Sequence, residues 1–334
     1  VEPTTRDTLL SLERLKVELR FWKLLKKEVE IEEISIRNAT FDTRDFIDGV
    51  VVSGHLGELF LESHGVVFSP ETARINEFSV KNTDVSLTLG SIESTDTVPS
   101  EPLYWKILLD EIDFENVGFA LKMPQDSLFV RTMLPKTTLK NGVIDLKEAS
   151  YYVKSFGIDN AELAYGPKEE LFLQQIGLQL DSIYYCGKDI RANIGEFVLK
   201  ERSGLELVST EGRIVSDSVL IEIPKFTMKT TASSLDLQTK IGWDVLEMKK
   251  TGVLSAKINA EIGKGDVAKI LGGRDTLFLQ TYPNKPFVFR ADAEGNLNSL
   301  HLRTLEAGLA KAFELKAKGN LLYLTDSTRR GGEI

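Results

Sequence analysis

The chain has 334 residues and a formal net charge of −9, with 42% hydrophobic and 27% charged residues. This composition is typical of a folded protein, and the negative charge without any basic run interleaved with aromatics excludes a nucleic-acid-binding protein. The single cysteine, Cys186, excludes an intramolecular disulfide framework and a cysteine-ligated metal site.

No stretch approaches the roughly 18–20 consecutive apolar residues that a membrane-spanning helix needs. The chain starts at Val1 rather than at a methionine and stops at Ile334, where a new strand could begin. We therefore expect a segment of a longer protein, in which a signal peptide or membrane anchor would lie outside residues 1–334.

Four short segments show helical patterns, in chain order. Residues 7–19 are a weak helix candidate, and residues 20–27 form a short amphipathic stretch with capping of the sheet or membrane contact as possible roles. Asp266 is a plausible N-cap for a short helix that ends at Gly272. Apolar residues at i, i+4 and i+8 predict a further helix over 304–313.

Nearly all of the remaining sequence alternates apolar and polar residues in runs about ten residues apart, which predicts a mainly β protein rather than one built from βαβ units. The strongest pattern is a short unit that recurs at Asn38, Asn82, Asn116 and Asn160. Each unit has two apolar residues two positions apart, an asparagine two positions later, and an apolar residue three beyond it. These apolar residues are Ile34, Ile36 and Phe41; Phe78, Val80 and Val85; Ile112, Phe114 and Phe119; and Phe156, Ile158 and Leu163.

The spacing of this unit carries a physical prediction. In a regular strand the apolar pair would face one side and the residue three beyond the asparagine would face the other. Asparagine tolerates left-handed backbone geometry, so we predict a one-residue bulge at each asparagine that returns both halves to one apolar face. From the residues alone, that face either lines an open groove or fills the core of a closed β-sandwich.

Other patterns give no catalytic, cofactor or metal site. The three histidines lie far apart without metal-ligand spacing, and the run from Gly263 to Asp266 lacks the full phosphate-loop pattern. Neighbouring acidic residues do not form the paired carboxylates of acid–base chemistry, and Cys186 is expected to be packing rather than a nucleophile. We therefore expect a protein that is not an enzyme and has no cofactor.

Four stretches, taken in order, resemble a known family: residues 9–38, 203–237, 258–267 and 293–321. They run from a strand, a short helix and a further strand at the start to the Ala293–Leu302 and Ala317–Leu321 motifs near the end. In this order they resemble the AsmA-like superfamily, and within it the TamB proteins in their Bacteroidetes-like form. Together the four stretches extend over nearly the whole chain.

The resemblance implies an elongated, open and curved antiparallel sheet (a β-groove) with a few short helices, lined by the twelve apolar residues of the repeat. It implies one segment over 1–334, with weak sub-units 1–92, 102–190 and 191–334. It further implies a periplasmic protein, anchored in the inner membrane by a segment outside this chain, that carries phospholipid acyl chains toward an outer-membrane barrel of the TamA type. No catalytic residue is carried over.

Two other functions remain open. The first is a scaffold or chaperone that assists outer-membrane protein assembly by pairing its edge strands with unfolded β-segments. The second is a carbohydrate-acting β-solenoid enzyme, but the sequence has neither a fixed repeat length nor the clustered carboxylates that such an enzyme needs.

Overall fold

The computed structural model describes residues 9–24, 30–44, 49–68, 71–90, 104–247, 252–272, 274, 276–326 and 328–333. Within them the chain forms seventeen strands and four short helices, and the strands belong to one open sheet that does not close into a barrel. The predicted fold class, a mainly β protein with an open, curved antiparallel sheet and a few short helices, is confirmed.

The strands are β1 Leu10–Leu19, β2 Ile31–Asp42, β3 Val50–Phe68, β4 Glu71–Leu89, β5 Lys106–Met123, β6 Leu128–Asp145, β7 Ser150–Tyr165, β8 Leu171–Cys186, β9 Asp189–Glu201, β10 Glu206–Ser216, β11 Leu220–Thr230, β12 Ser234–Gly242, β13 Leu254–Ile262, β14 Phe287–Gly295, β15 Ser299–Leu309, β16 Phe313–Leu322 and β17 Gly331–Glu333. The helices are α1 Phe21–Leu24, α2 Trp243–Leu246, α3 Lys264–Leu271 and α4 Thr276–Thr281.

The chain divides into two compact units, unit 1 over Val1–Gln179 and unit 2 over Leu180–Ile334. In unit 1 the strands β1 to β7 pair in chain order, antiparallel throughout except for the parallel pair β4–β5. In unit 2 the strands β9 to β17 pair in chain order and are all antiparallel. Unit 2 is therefore a meander, and unit 1 consists of two meanders, β1–β4 and β5–β7, that meet at the parallel pair β4–β5.

A closed sandwich would bury large apolar side chains between two layers. Among the described residues, half of the apolar side chains with less than about a tenth of their surface exposed are alanines. The larger ones are few: Val80, Leu109, Tyr282, Leu297 and Leu302. The described residues of neither unit form the core of a sandwich, and the sheet is open, so the alternative of a closed β-sandwich is wrong.

Two helix predictions are also wrong. The segment 7–19 contains strand β1, and residues 304–313 form the second half of β15, a turn and the start of β16. The predicted helix near Asp266 is confirmed as α3, but Asp266 is not its N-cap: the N-cap is Gly263, and Asp266 lies inside the first turn. The helix ends at Leu271 and is capped by Gly272 with a left-handed φ of 56°. Of the amphipathic stretch 20–27, residues 21–24 form α1 and residues 25–27 lie outside the described part of the chain.

Candidate functional site

The backbone register of unit 1 places the twelve predicted apolar residues in three rows that cross the sheet. Residues paired directly across neighbouring strands point to the same face, so each row lies on one face. The rows are Val17, Ile34, Leu61, Phe78, Ile112, Leu139 and Phe156; Leu15, Ile36, Leu59, Val80, Phe114, Thr137 and Ile158; and Leu10, Phe41, Gly54, Val85, Phe119, Thr132 and Leu163. The structure therefore brings the twelve residues together, and their role in binding a lipid stays a prediction.

The four repeat asparagines lie in a single row between the second and third of these apolar rows. Their φ angles are positive, 48° at Asn38, 50° at Asn82, 52° at Asn116 and 56° at Asn160. The predicted left-handed geometry at each asparagine is confirmed. We call this row the asparagine row; its members in the seven strands are Glu13, Asn38, Gly57, Asn82, Asn116, Pro135 and Asn160.

The predicted one-residue bulge at each asparagine is wrong, because the strand register continues unbroken through the asparagine row. A bulge would be needed if only one of two paired strands reversed its alternation. In β3 the apolar face is formed by Leu56 on one side of the row and by Leu59 on the other, three positions apart. In β6 it is formed by Leu134 on one side and by Thr137 and Leu139 on the other. Every strand reverses its alternation at the same level, so no residue is left without a partner in the neighbouring strand.

A neighbouring asparagine shows how a left-handed residue keeps both flanks on one face. At Asn141 the φ angle is 52°, and a Cβ built on Gly142 would lie 3.1 Å from the Cδ2 atom of Leu139. Residues 139 and 142 thus point to the same side, although three positions in a regular strand would separate them. The same geometry in the asparagine row keeps the third apolar row on the face of the first two.

The members of the asparagine row in β1, β3 and β6 carry no repeat pattern in the sequence that would predict them. A Cβ on Gly57 would lie 2.5 Å from the carbonyl oxygen of Asn82, closer than a side chain can approach a backbone atom. Gly57 is therefore required by the backbone of the next strand rather than by its own conformation. Asn116 Nδ2 donates a hydrogen bond of 3.2 Å to Asn82 Oδ1, and Asn38 Nδ2 donates one to the Glu13 carboxylate.

The apolar face of unit 1 is only partly covered by the sheet's own side chains. Of the twelve predicted residues, Val80 is the most covered at 9% relative exposure and Phe119 is the most exposed at 38%. The remaining ten are half-buried. Phe78 and Phe114 contact each other edge to face, with ring centroids 6.1 Å apart. Neighbours within one layer shield the sides of these groups, while their tops stay open.

The opposite face of unit 1 is charged. One row of directly paired residues there is Arg14, Arg37, Glu58, Lys81, Glu115, Lys136 and Asp159. Within this row Arg37 pairs with Glu58 and Lys81 with Glu115, each across 3.4 Å. Exposed pairs of this kind add little stability, but the charges keep this face in water.

Unit 2 has the same division into faces, although its strands lack the asparagine repeat of unit 1. Its central apolar rows are Phe226, Leu237, Ile258, Ala291, Leu305 and Ala317; and Met228, Leu235, Ala260, Phe289, Ala307 and Leu315. The row on the other face is Thr227, Asp236, Asn259, Arg290, Glu306 and Lys316. Plain alternation was the signal for these residues, and small side chains such as Ala291 and Ala307 obscured it.

Polar groups do not converge into a reactive cluster in the part of the chain that the structure describes. In that part, no three His, Cys, Asp or Glu side chains come together in a way that could hold a metal ion. Two histidines contact asparagines instead: His64 contacts Asn76, and His301 contacts Asn320 with 2.9 Å between the ring nitrogen and the amide oxygen. None of the described helices is long and apolar enough to cross a bilayer.

Comparison with known proteins does not assign the chain to a family. No protein-family model matches the chain, and no curated protein matches it at a significant level.

Proposed function

We propose that the apolar face of the sheet holds phospholipid acyl chains, and that the chain is a segment of an envelope protein that carries lipids between the inner and outer membranes. One observation supports this proposal above the others: three rows of mainly apolar residues, interrupted by Gly54, Thr132 and Thr137, cross unit 1 on a face over which the described residues form no second layer. Monomeric soluble proteins rarely expose a contiguous apolar surface of this kind without a ligand or partner.

The energetics favour an acyl chain as the ligand. Exposing an acyl chain of about 16 carbons to water costs about 13 kcal/mol at about 0.8 kcal/mol per methylene. A carrier therefore has to offer apolar cover along the whole chain. Rows of Val, Ile, Leu and Phe supply such cover, and the charged opposite face keeps the loaded protein soluble.

The cellular setting rests on the family resemblance. It places the protein in the periplasm, with an inner-membrane anchor outside this chain and an outer-membrane barrel of the TamA type as partner. In this setting the protein is a carrier rather than an enzyme, and it needs no cofactor or metal.

The proposal is tested by measuring lipid carried by the purified protein. Organic extraction and mass spectrometry should find acyl lipid above the level of an unrelated protein from the same cells. Phe114→Asp or Ile158→Asp should reduce that lipid about fivefold or more, because a buried carboxylate opposes an apolar ligand. Glu115→Lys is the matched control, since Glu115 is adjacent in β5 but lies on the charged face and should leave the lipid unchanged.

Circular dichroism should show the same β content in all three variants. Wild-type protein with no more lipid than the unrelated protein would contradict the proposal, and so would a Phe114→Asp variant that carries the wild-type amount. A lipid-free protein that instead slows aggregation of unfolded outer-membrane proteins would support the scaffold function.

A further inference from the structure

The connection between β13 and β14 in unit 2 contains the two helices α3 and α4, and its root is firmly attached to the neighbouring β11–β12 turn. Asp266 in α3 is almost fully buried. Its carboxylate accepts hydrogen bonds from the hydroxyls of Thr230, Thr231 and Ser233, which all belong to that turn or to the strand ends beside it. A buried carboxylate with this many donors holds α3 in one position.

A second set of contacts closes the other side of the root. Tyr282, which follows α4, is buried, and its hydroxyl donates a 3.1 Å hydrogen bond to the carbonyl oxygen of Ile262. Lys264 Nζ donates to the carbonyl oxygen of Tyr282 at 2.9 Å. Gly263 approaches the turn so closely that a Cβ there would lie 2.2 Å from the carbonyl oxygen of Ala232. The helical connection therefore begins and ends at fixed points.

The outer part of this connection carries three large apolar side chains with much of their surface exposed, although the ring of Phe278 contacts the ring of Tyr282 with 5.7 Å between centroids. Ile270 is 67% exposed, Leu277 is 72% exposed and Phe278 is 44% exposed. We call these three residues the helical tip. Large apolar groups held in water on an anchored element are typical of a surface that meets an apolar partner.

The charge around the helical tip indicates which partner fits. The segment 263–286 contains four basic residues, Lys264, Lys269, Arg274 and Lys285, and two acidic ones, Asp266 and Asp275, whereas the whole chain has a net charge of −9. Asp266 is buried in the root and pairs with Lys269 across 3.9 Å, so these two charges largely offset each other, and the excess positive charge of the segment comes from its other basic residues. A positive segment with exposed Ile, Leu and Phe side chains matches the surface of an anionic bilayer, which attracts cations and accepts apolar groups.

We propose that the helical tip docks on the surface of an anionic lipid bilayer and inserts Ile270, Leu277 and Phe278 between the headgroups. The inference deepens the proposed function, on which it rests, by naming the point where the protein meets a donor or acceptor membrane. The fixed root matters here, because a tip held in place loses little conformational freedom on docking.

The test is sedimentation of the purified chain with phosphatidylcholine vesicles, with and without phosphatidylglycerol. The wild-type chain should bind the anionic vesicles, and the Leu277→Asp/Phe278→Asp double variant should bind them about tenfold or more weakly, because two carboxylates replace the inserting groups. The matched control is Val219→Asp. Val219 is 65% exposed in the β10–β11 turn of the same unit, and its replacement should leave binding unchanged.

A double variant that binds as well as the wild type, or a wild-type chain that binds neither vesicle, overturns the inference, and so does equal loss in Val219→Asp. A double variant that keeps vesicle binding but loses its extracted acyl lipid would make the tip a lid over the apolar face, which also overturns it. Phe114→Asp separates the two proposals: it should lose carried lipid and still bind anionic vesicles.

Discussion

Units 1 and 2 both present one apolar face and one charged face, but their backbones achieve this differently. In unit 1 every strand from β1 to β7 reverses its alternation at the asparagine row, and the register stays continuous there. In unit 2 the pairing of β12, β13 and β14 runs without any shift, and irregularities occur in single strands, such as the one at residues 223–226 of β11, which shifts the register with both β10 and β12.

The stability of the two units therefore depends on particular residues at different places in the strands. In the coordinated reversal four strands carry an asparagine with positive φ, and the other three carry Glu13, the close-packed Gly57 and Pro135. A local bulge is accommodated by one strand and leaves the other strands free to alternate. We therefore expect strand substitutions along the asparagine row to be more costly than similar strand substitutions in unit 2.

The largest expected effect is at Gly57. Gly57→Ala would place a Cβ 2.5 Å from the Asn82 carbonyl oxygen and 2.8 Å from that of Lys81, so the two strands would have to separate locally. We expect the free energy of unfolding to fall by about 2–4 kcal/mol, measured by denaturant titration. Gly308→Ala in β15 is the control, because the nearest atom to its Cβ would be the Phe313 carbonyl oxygen at 3.6 Å. Equal stability of the two variants would remove the distinction between the units.

A smaller effect is expected at Asn116. Asn116→Val places a β-branched residue at a φ of 52° and should lower the free energy of unfolding by about 1–2 kcal/mol or somewhat more. Asn116→Gly tolerates this φ and should remain closer to the wild type. Asn259→Val in β13, where the backbone is ordinary strand, should be neutral or slightly stabilising because valine favours strands. The finding of a similar cost at both asparagines would contradict a special role for the asparagine row.

The smallest effect is a local one in unit 2 and depends on pH. Burial raises the pKa of Asp266, but hydrogen bonds from Ser233 and Thr230 and the charge of Lys269 outweigh it, and the net pKa lies below its ordinary value. A lowered pKa in the folded state stabilises the fold above the ordinary carboxyl pKa of about 4, and this contribution is lost as the pH falls through the lowered value. The rate of amide hydrogen exchange in α3 should therefore fall less steeply with acidification than the rate in β13, because α3 loosens below about pH 4. Asp266→Asn should abolish this difference, and its persistence in the variant would exclude Asp266 as the cause.

The sequence predicted the apolar face of unit 1 because the asparagine units lie in β2, β4, β5 and β7, where the pattern is strong. It did not predict the partners in β3 and β6. Gly57 and Pro135 belong to the same row only through strand register, and register depends on pairings that single-sequence patterns do not contain. For the same reason the sequence predicted a bulge at each of the four repeat asparagines, although the facing strand reverses its own alternation at the same level.

The wrong helices have a related cause. In β1 the reversal at Glu13 puts Leu12 and Leu15 on one face three positions apart, so the apolar residues of the segment 7–19 have a mixed spacing although Leu10–Leu19 is a strand. In β15 and β16, Leu305, Leu309 and Phe313 repeat every four residues because the alanine at 307 hides the period of two and a turn falls at 310–312. Spacing alone does not separate a helix from a strand whose alternation is interrupted.

The parallel pair β4–β5 has a consequence for how the chain reaches its native state. Every paired residue of β4 meets the residue 34 positions later, from Thr72 with Lys106 to Thr88 with Lys122, so no contact in this ladder is local. The hairpins on either side begin with contacts close in sequence, such as Met123 with Leu128. The entropy cost of closing a long loop has to be met before non-local pairing stabilises the fold. We therefore expect the strands within β1–β4 and within β5–β7 to pair first, and formation of the β4–β5 ladder to limit the folding rate.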